Sequence, residues 1–200
     1  MGNAVSQSVA RDFTRPIRIL AIAVGADPVE VANVETALTQ ELGATEYTVD
    51  RDPPVLGNPG LRSRLLGRDV LLINDQNGRS ADLHDLGVKW AGALRDFVNN
   101  GGVVIVLDGL VMGTTAPSNT CELLSAGELL ECGTPIDGTG SLVTDPGSGS
   151  PIATGVGDYT GPVNTVQFAQ DPKANEIFVV SSSGTYHPVV MDKTFPLRDH

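Results

Sequence analysis

Three aspartates follow directly on apolar runs of the kind that make buried strands. Asp27 comes after RILAIAV (Arg18 to Val24), Asp75 ends DVLLIND (Asp69 to Asp75), and Asp108 follows VVIVL (Val103 to Leu107). Side chains leaving the carboxyl ends of neighbouring parallel strands converge on one crevice. Carboxylates brought together there would hold Mg²⁺ or Ca²⁺, or accept hydrogen bonds from sugar hydroxyls, with Asn74, Gln76 and Asn77 adding oxygen ligands. The same residues have a plainer use, Asp27 as a helix N-cap and Asp75 and Asp108 as Asx turns after strands. His84, between Asp82 and Asp85 in the chain, is the histidine that could join Asp75 and Asp108 around a metal, and a solvent-facing place on a helix accounts for it equally. Spacing alone names no metal.

Other chemistry lacks its signature. No G-x-G-x-x-G follows the first apolar run, and there is no G-x-x-x-x-G-K-[ST], H-E-x-x-H or G-x-S-x-G anywhere. Asp75-x-Asn77 begins like a calcium loop, but Arg79 and Ser80 stand where an acid or amide and a glycine belong. No cofactor is expected. The two cysteines, Cys121 and Cys132, flank a stretch whose Leu123, Leu124, Leu129 and Leu130 suggest a short helix. They fit a disulfide across a small loop, two buried thiols, or a redox pair; zinc binding would need further ligands that the vicinity lacks. A disulfide would tilt the location toward an oxidising, extracytoplasmic compartment.

The elements that must position these groups can be read from periodicity. Asp27-Pro28-Val29-Glu30 has the order N-cap, N1 proline, N2 and an N3 acid, and Val31, Val34, Leu38 and Leu42 recur at helical spacing before Gly43. Thr45 to Asp50 reads as a second strand, the residues around Leu61 to Leu66 as a short helix, and Asp69 to Asn74 as a third strand. A long helix carrying Leu83, Leu86, Trp90, Leu94, Phe97 and Val98 on one face then leads through Gly101-Gly102 into Val103 to Leu107. This alternation predicts a three-layer α/β sandwich built on a mostly parallel sheet. Beyond Gly113, strands near 141–144, 165–169, 176–181 and 188–193 predict an antiparallel C-terminal edge extension. The expected organisation is a flexible leader over residues 1–16 and one α/β domain over 17–200.

The chain has 24 acidic and 13 basic side chains, a formal charge of -11, and the second half carries 11 acids against 3 bases. Nucleic acid needs a basic surface, so this balance argues against it. No apolar run approaches the roughly 20 residues of a membrane span. Residues 1–16 show no charged n-region followed by an apolar one, so no secretory signal is visible in them.

At DVLLIND, ALRDFVNNGGVVIVLDG (93–109), SPIATGVGDY (150–159) and YHPVVMDKTF (186–195), the chain resembles the class I glutamine-amidotransferase-like superfamily, in its ThuA-like, non-amidotransferase branch. The resemblance covers most of residues 17–195 and implies a flavodoxin-like sheet. In catalytic members a cysteine sits in a G-x-C-x-G turn after the fourth strand and attacks an amide carbon. Here that frame reads Gly109-Leu110-Val111-Met112-Gly113, with Val111 in the sulfur's place; Cys121 lies ten residues on, and His187 has no nucleophile to serve. The expectation is therefore a domain without catalytic residues. It would bind a protein partner, glycan or small ligand, or self-associate as a subunit of an extracytoplasmic assembly. The alternative is a metal-assisted hydrolase acting on a carbohydrate-like substrate.

Overall fold

The apolar run after Arg15 and Pro16 forms β1 (Ile17–Ile22), whose last four residues are buried. In the computed structural model, which describes residues 15–51, 58–77, 80–111, 114–137, 140–145, 149–150, 153, 157–161, 165–169, 175–182 and 187–195, it is followed by α1 (Pro28–Leu42), β2 (Tyr47–Arg51), α2 (Asn58–Leu65), β3 (Val70–Ile73), α3 (Ser80–Asn99) and β4 (Val103–Val106). Next come α4 (Glu122–Ala126), β5 (Thr134–Asp137), β6 (Gly140–Thr144), β7 (Tyr159–Gly161), β8 (Val166–Ala169), β9 (Glu176–Ser182) and β10 (Pro188–Lys193). Most of the expected leader, and parts of the loops at 52–60, 75–80, 109–113 and 150–159, lie outside the described residues. Arg15 lies inside them, and its guanidinium donates to both oxygens of Asp69 at 2.7 Å.

The first half is the expected parallel sheet, in the order β2-β1-β3-β4. Strand order reverses between β1 and β3, and right-handed crossovers then put α1 on one face and α2 and α3 on the other. Leu20 and Ile22 of β1, Leu71 and Ile73 of β3, and Val104 and Val106 of β4 point into the main core. There they meet Leu61 and Leu65 of α2, the apolar stripe of α3 from Leu83 to Val98, and Leu123 and Leu124 of α4. Trp90, 2% exposed, lies at its centre, as its place on the stripe predicts. Gly87 allows α3 and α4 to touch: a Cβ there would lie 2.8 Å from the Ala126 Cβ and closer still to the Leu123 carbonyl oxygen.

The opposite face is more lightly covered. α1 begins and ends where the sequence says, with the Asp27 carboxylate accepting from the Val29 N–H at 2.6 Å and Gly43 at φ 83°, yet none of its residues is buried. Val103 and Ile105 of β4 remain 51% and 42% exposed.

All four expected C-terminal strands are present, but they hydrogen-bond among themselves rather than to β4. One antiparallel sheet has the order β10-β9-β6-β7, and β5 pairs with β8. β9 is paired on both sides, by β10 and β6, which leaves β10 as an outer strand. The strands β5 and β7 went unread because they are four and three residues long and β5 contains a proline.

Candidate functional site

A groove of about 1260 Å³ runs between the two halves. Its aliphatic walls are β4 from Val103 to Val106 on one side and Val189, Val190 and Met191 of β10 with Val166 and Phe168 of β8 on the other. Its polar end, formed by Glu30, Asn74, Asp75 and Asp108, lies at the carboxyl ends of β3 and β4 beside the point where strand order reverses, the position at which open α/β sheets take their ligands.

The chain reaches this end by a short excursion. After Asp108 it turns outward and comes back, Leu110 bridging Pro117, so that the Ser118 N–H donates to the Gly109 carbonyl at 2.9 Å. Asn119 adopts φ 57°, a left-handed conformation that asparagine accepts more readily than most residues, between the two hydroxyl residues Ser118 and Thr120. Both hydroxyls consequently reach one carboxyl group. Ser118 Oγ and Thr120 Oγ1 donate to Asp75 Oδ1, the threonine at 3.0 Å, and the Gln76 N–H donates to Thr120 Oγ1 at 2.8 Å. Ser118 Oγ also lies 2.6 Å from Asp108 Oδ1, while the Cys121 N–H donates to Asp108 Oδ2 at 2.9 Å.

A serine hydroxyl has one proton, so it cannot donate to Asp75 and Asp108 together. Its single proton therefore serves one of the two carboxyl oxygens at a time. Burial pushes the Asp75 carboxyl above its ordinary range, and the negative charge of Asp108 adds to the effect, against the opposing hydrogen bonds from Ser118 and Thr120. Glu30 is also raised, first by burial and then by the charges of Asp75 and Asp27. Glu30 Oε2, Asn74 Oδ1 and Asp75 Oδ2 are buried acceptor atoms with no hydrogen-bond partner among the described residues. Gly109 fits because a Cβ there would lie 2.7 Å from Asp75 Oδ2.

Of the residues expected to share this site, Asn74, Asp75 and Asp108 do so. Asp27 serves as the α1 N-cap and is absent from the lining, and the acid that reaches the groove from α1 is Glu30. The capping pattern concealed it. Asn77 stands beside the cluster without lining the groove, and His84, its side chain 64% exposed, pairs through Nδ1 with Glu122 at 2.7 Å. Among the described residues no three His, Cys, Asp or Glu side chains come together as a group able to hold a metal ion. Ser118 and Thr120 were not foreseen; a polar Ser-x-Thr ahead of an apolar helix reads as capping, and its partner lies 43 residues away. Val111 sits on the outward limb of the excursion, its N–H donating to the Ala116 carbonyl at 2.7 Å, and the rest of the expected frame, Met112 and Gly113, lies outside the described residues.

Cys121 and Cys132 form a disulfide with a Cα–Cα distance of 5.9 Å. No described helix is long and apolar enough to cross a membrane. A second cavity, about 390 Å³, opens at the opposite end of the parallel sheet among Arg15, Arg18, Arg62 and Arg68. Glu30, Asn74, Asp75 and Asp108 are not among its lining residues.

No protein-family model matches the chain, and no curated protein matches it. Among solved structures, a protein from Bacteroides uniformis ATCC 8492 described as ThuA-like matches with a TM-score of 0.52 at 11% identity, over 91% of this chain and 72% of that one. At that identity the likeness shows a shared fold.

Proposed function

We propose that this protein is a ligand-binding α/β domain of amidotransferase-like type, working in an oxidising, extracytoplasmic compartment and without a nucleophile of its own. Its ligand has an aliphatic body lying along β4 and β10 and a head of hydroxyl or amine donors seated against Glu30, Asn74, Asp75 and Asp108. The observation that carries this reading is the combination of an aliphatic groove with acceptor atoms left unmet at one end. A buried acceptor without a partner costs about 1 to 3 kcal/mol, and a donor brought by a ligand recovers part of that. An anionic head would meet like charge. The ThuA-like fold and Val111 at the superfamily's cysteine position support a scaffold used for binding. A metal-assisted hydrolase has less support, because among the described residues no three His, Cys, Asp or Glu side chains group together as metal ligands.

Isothermal titration of an alkyl glycoside, an alkylamine and an alkyl carboxylate of equal chain length tests the proposal. Saturable binding of the glycoside or the amine, weakened about tenfold or more by Asp108→Asn, is the expected result. Binding led by the carboxylate, or none of the three, counts against it.

A further inference from the structure

The segment that organises the carboxyl cluster is also the one tied down by the disulfide. Ser118 and Thr120 supply the hydroxyls to Asp75, and the next residue, Cys121, supplies both an N–H to Asp108 and one sulfur of the bridge. Cys132, the other sulfur, leads two residues later into β5, whose partner β8 forms part of the far wall of the groove. Around the bridge is a small core of Leu110, Val166 and Phe168, with Leu130 and Met191 packed on it, which joins the loop after β4 to β8 and β10. The bridge therefore connects the polar end of the groove to its opposite wall. Cys121 is 5% exposed and Cys132 is less deeply buried, so Cys132 is the side of the bridge from which a thiolate would approach.

We propose that the Cys121–Cys132 disulfide is a redox gate on this groove: the oxidised protein holds ligand, and the reduced protein, still folded, releases it. The inference rests on the reading of the groove as a binding site. The chemistry is thiol–disulfide exchange. A small dithiol attacks Cys132, its S–S bond to Cys121 breaks, and Cys121 leaves as thiolate and takes up a proton. The dithiol's second sulfur then displaces Cys132, so that the reductant ends as a disulfide and the protein as two thiols. Without the bridge, Ser118, Thr120 and Cys121 are no longer held against β5, and the donors on which Asp75 and Asp108 depend become free to move away.

The test compares the oxidised protein, the same protein reduced by dithiothreitol, and Cys132→Ser. Each is followed by carboxyl ¹³C titration of Asp75, by far-ultraviolet circular dichroism, and by titration with the alkyl glycoside. Expected are retained secondary structure in all three, an upward shift of the Asp75 midpoint in the two unbridged forms, where the lowering hydrogen bonds from Ser118 and Thr120 are lost, and at least a tenfold loss of glycoside affinity that reoxidation reverses. Val179→Ala, which loosens the separate core around Leu142 and Val180, should lower thermal stability and leave the Asp75 midpoint in place. An unchanged Asp75 midpoint in the folded reduced protein would overturn the gate, as would global unfolding on reduction. If the oxidised protein binds no probe, the binding reading fails by itself, while the Asp75 comparison still decides whether the bridge controls the cluster.

Discussion

Burial sets the behaviour of Asp75, holding its carboxyl above the ordinary range against the hydrogen bonds from Ser118 and Thr120. Below the ordinary aspartate value of 3.8, folded and unfolded chains both hold the Asp75 proton. As pH rises, the unfolded chain releases its proton first and the folded chain, whose carboxyl is raised, retains it. The folded state then binds more protons, and stability contributed at this site falls with rising pH until folded Asp75 has also ionised. Asp75→Asn removes this dependence, because an amide does not titrate in this range. Denaturant unfolding across pH 3.5 to 8 should show the variant gaining on the wild type as pH increases. A difference constant with pH would contradict a raised Asp75. At this scale the sequence was half legible. Asp75 and Asp108 stand out because each ends an apolar run. Glu30 was masked by a capping pattern that its neighbours satisfy, and Ser118 and Thr120 act on a carboxyl group 43 residues earlier, a relation no local pattern contains.

Among the elements, the contact between α3 and α4 fixes where the loop carrying Ser118 and Thr120 enters the core, since α4 follows Cys121 directly. Gly87 makes that approach possible. Gly87→Ala would force a methyl group against the Leu123 carbonyl and the Ala126 Cβ, neither of which is the end of a flexible side chain. The expected cost is about 1 to 3 kcal/mol, the range for overpacking a tight site, measured by denaturant unfolding. A neutral result would mean that α4 moves freely relative to α3. The helix α3 was legible because it buries one face at helical spacing from Leu83 to Val98, and α1 because its cap residues bound it although none of its residues is buried. Which edge the later strands would join was not legible: β10 and β4 both present apolar residues, and the choice of β9 as partner depends on the whole path of the chain from Thr134 onward.

Across the whole molecule, charge divides along the parallel strands. Glu30, Asp75 and Asp108 gather at the carboxyl ends, while Arg15, Arg18, Arg62 and Arg68 line the cavity at the other and outnumber Asp69 and Asp96, which pair with Arg15 and Arg62 there. With a formal charge of -11 overall, the field at the groove favours neutral or cationic ligands and repels anions. The central claim is that ligand binds at the acid-lined end of the groove. Amide chemical-shift mapping with the alkyl glycoside tests it most directly. Saturable shifts are expected at Asp75, Gln76 and Gly109 together with Val190 and Met191 on the facing wall. Shifts gathered instead around Arg18 and Gly67, or no saturable shift at all, would contradict it.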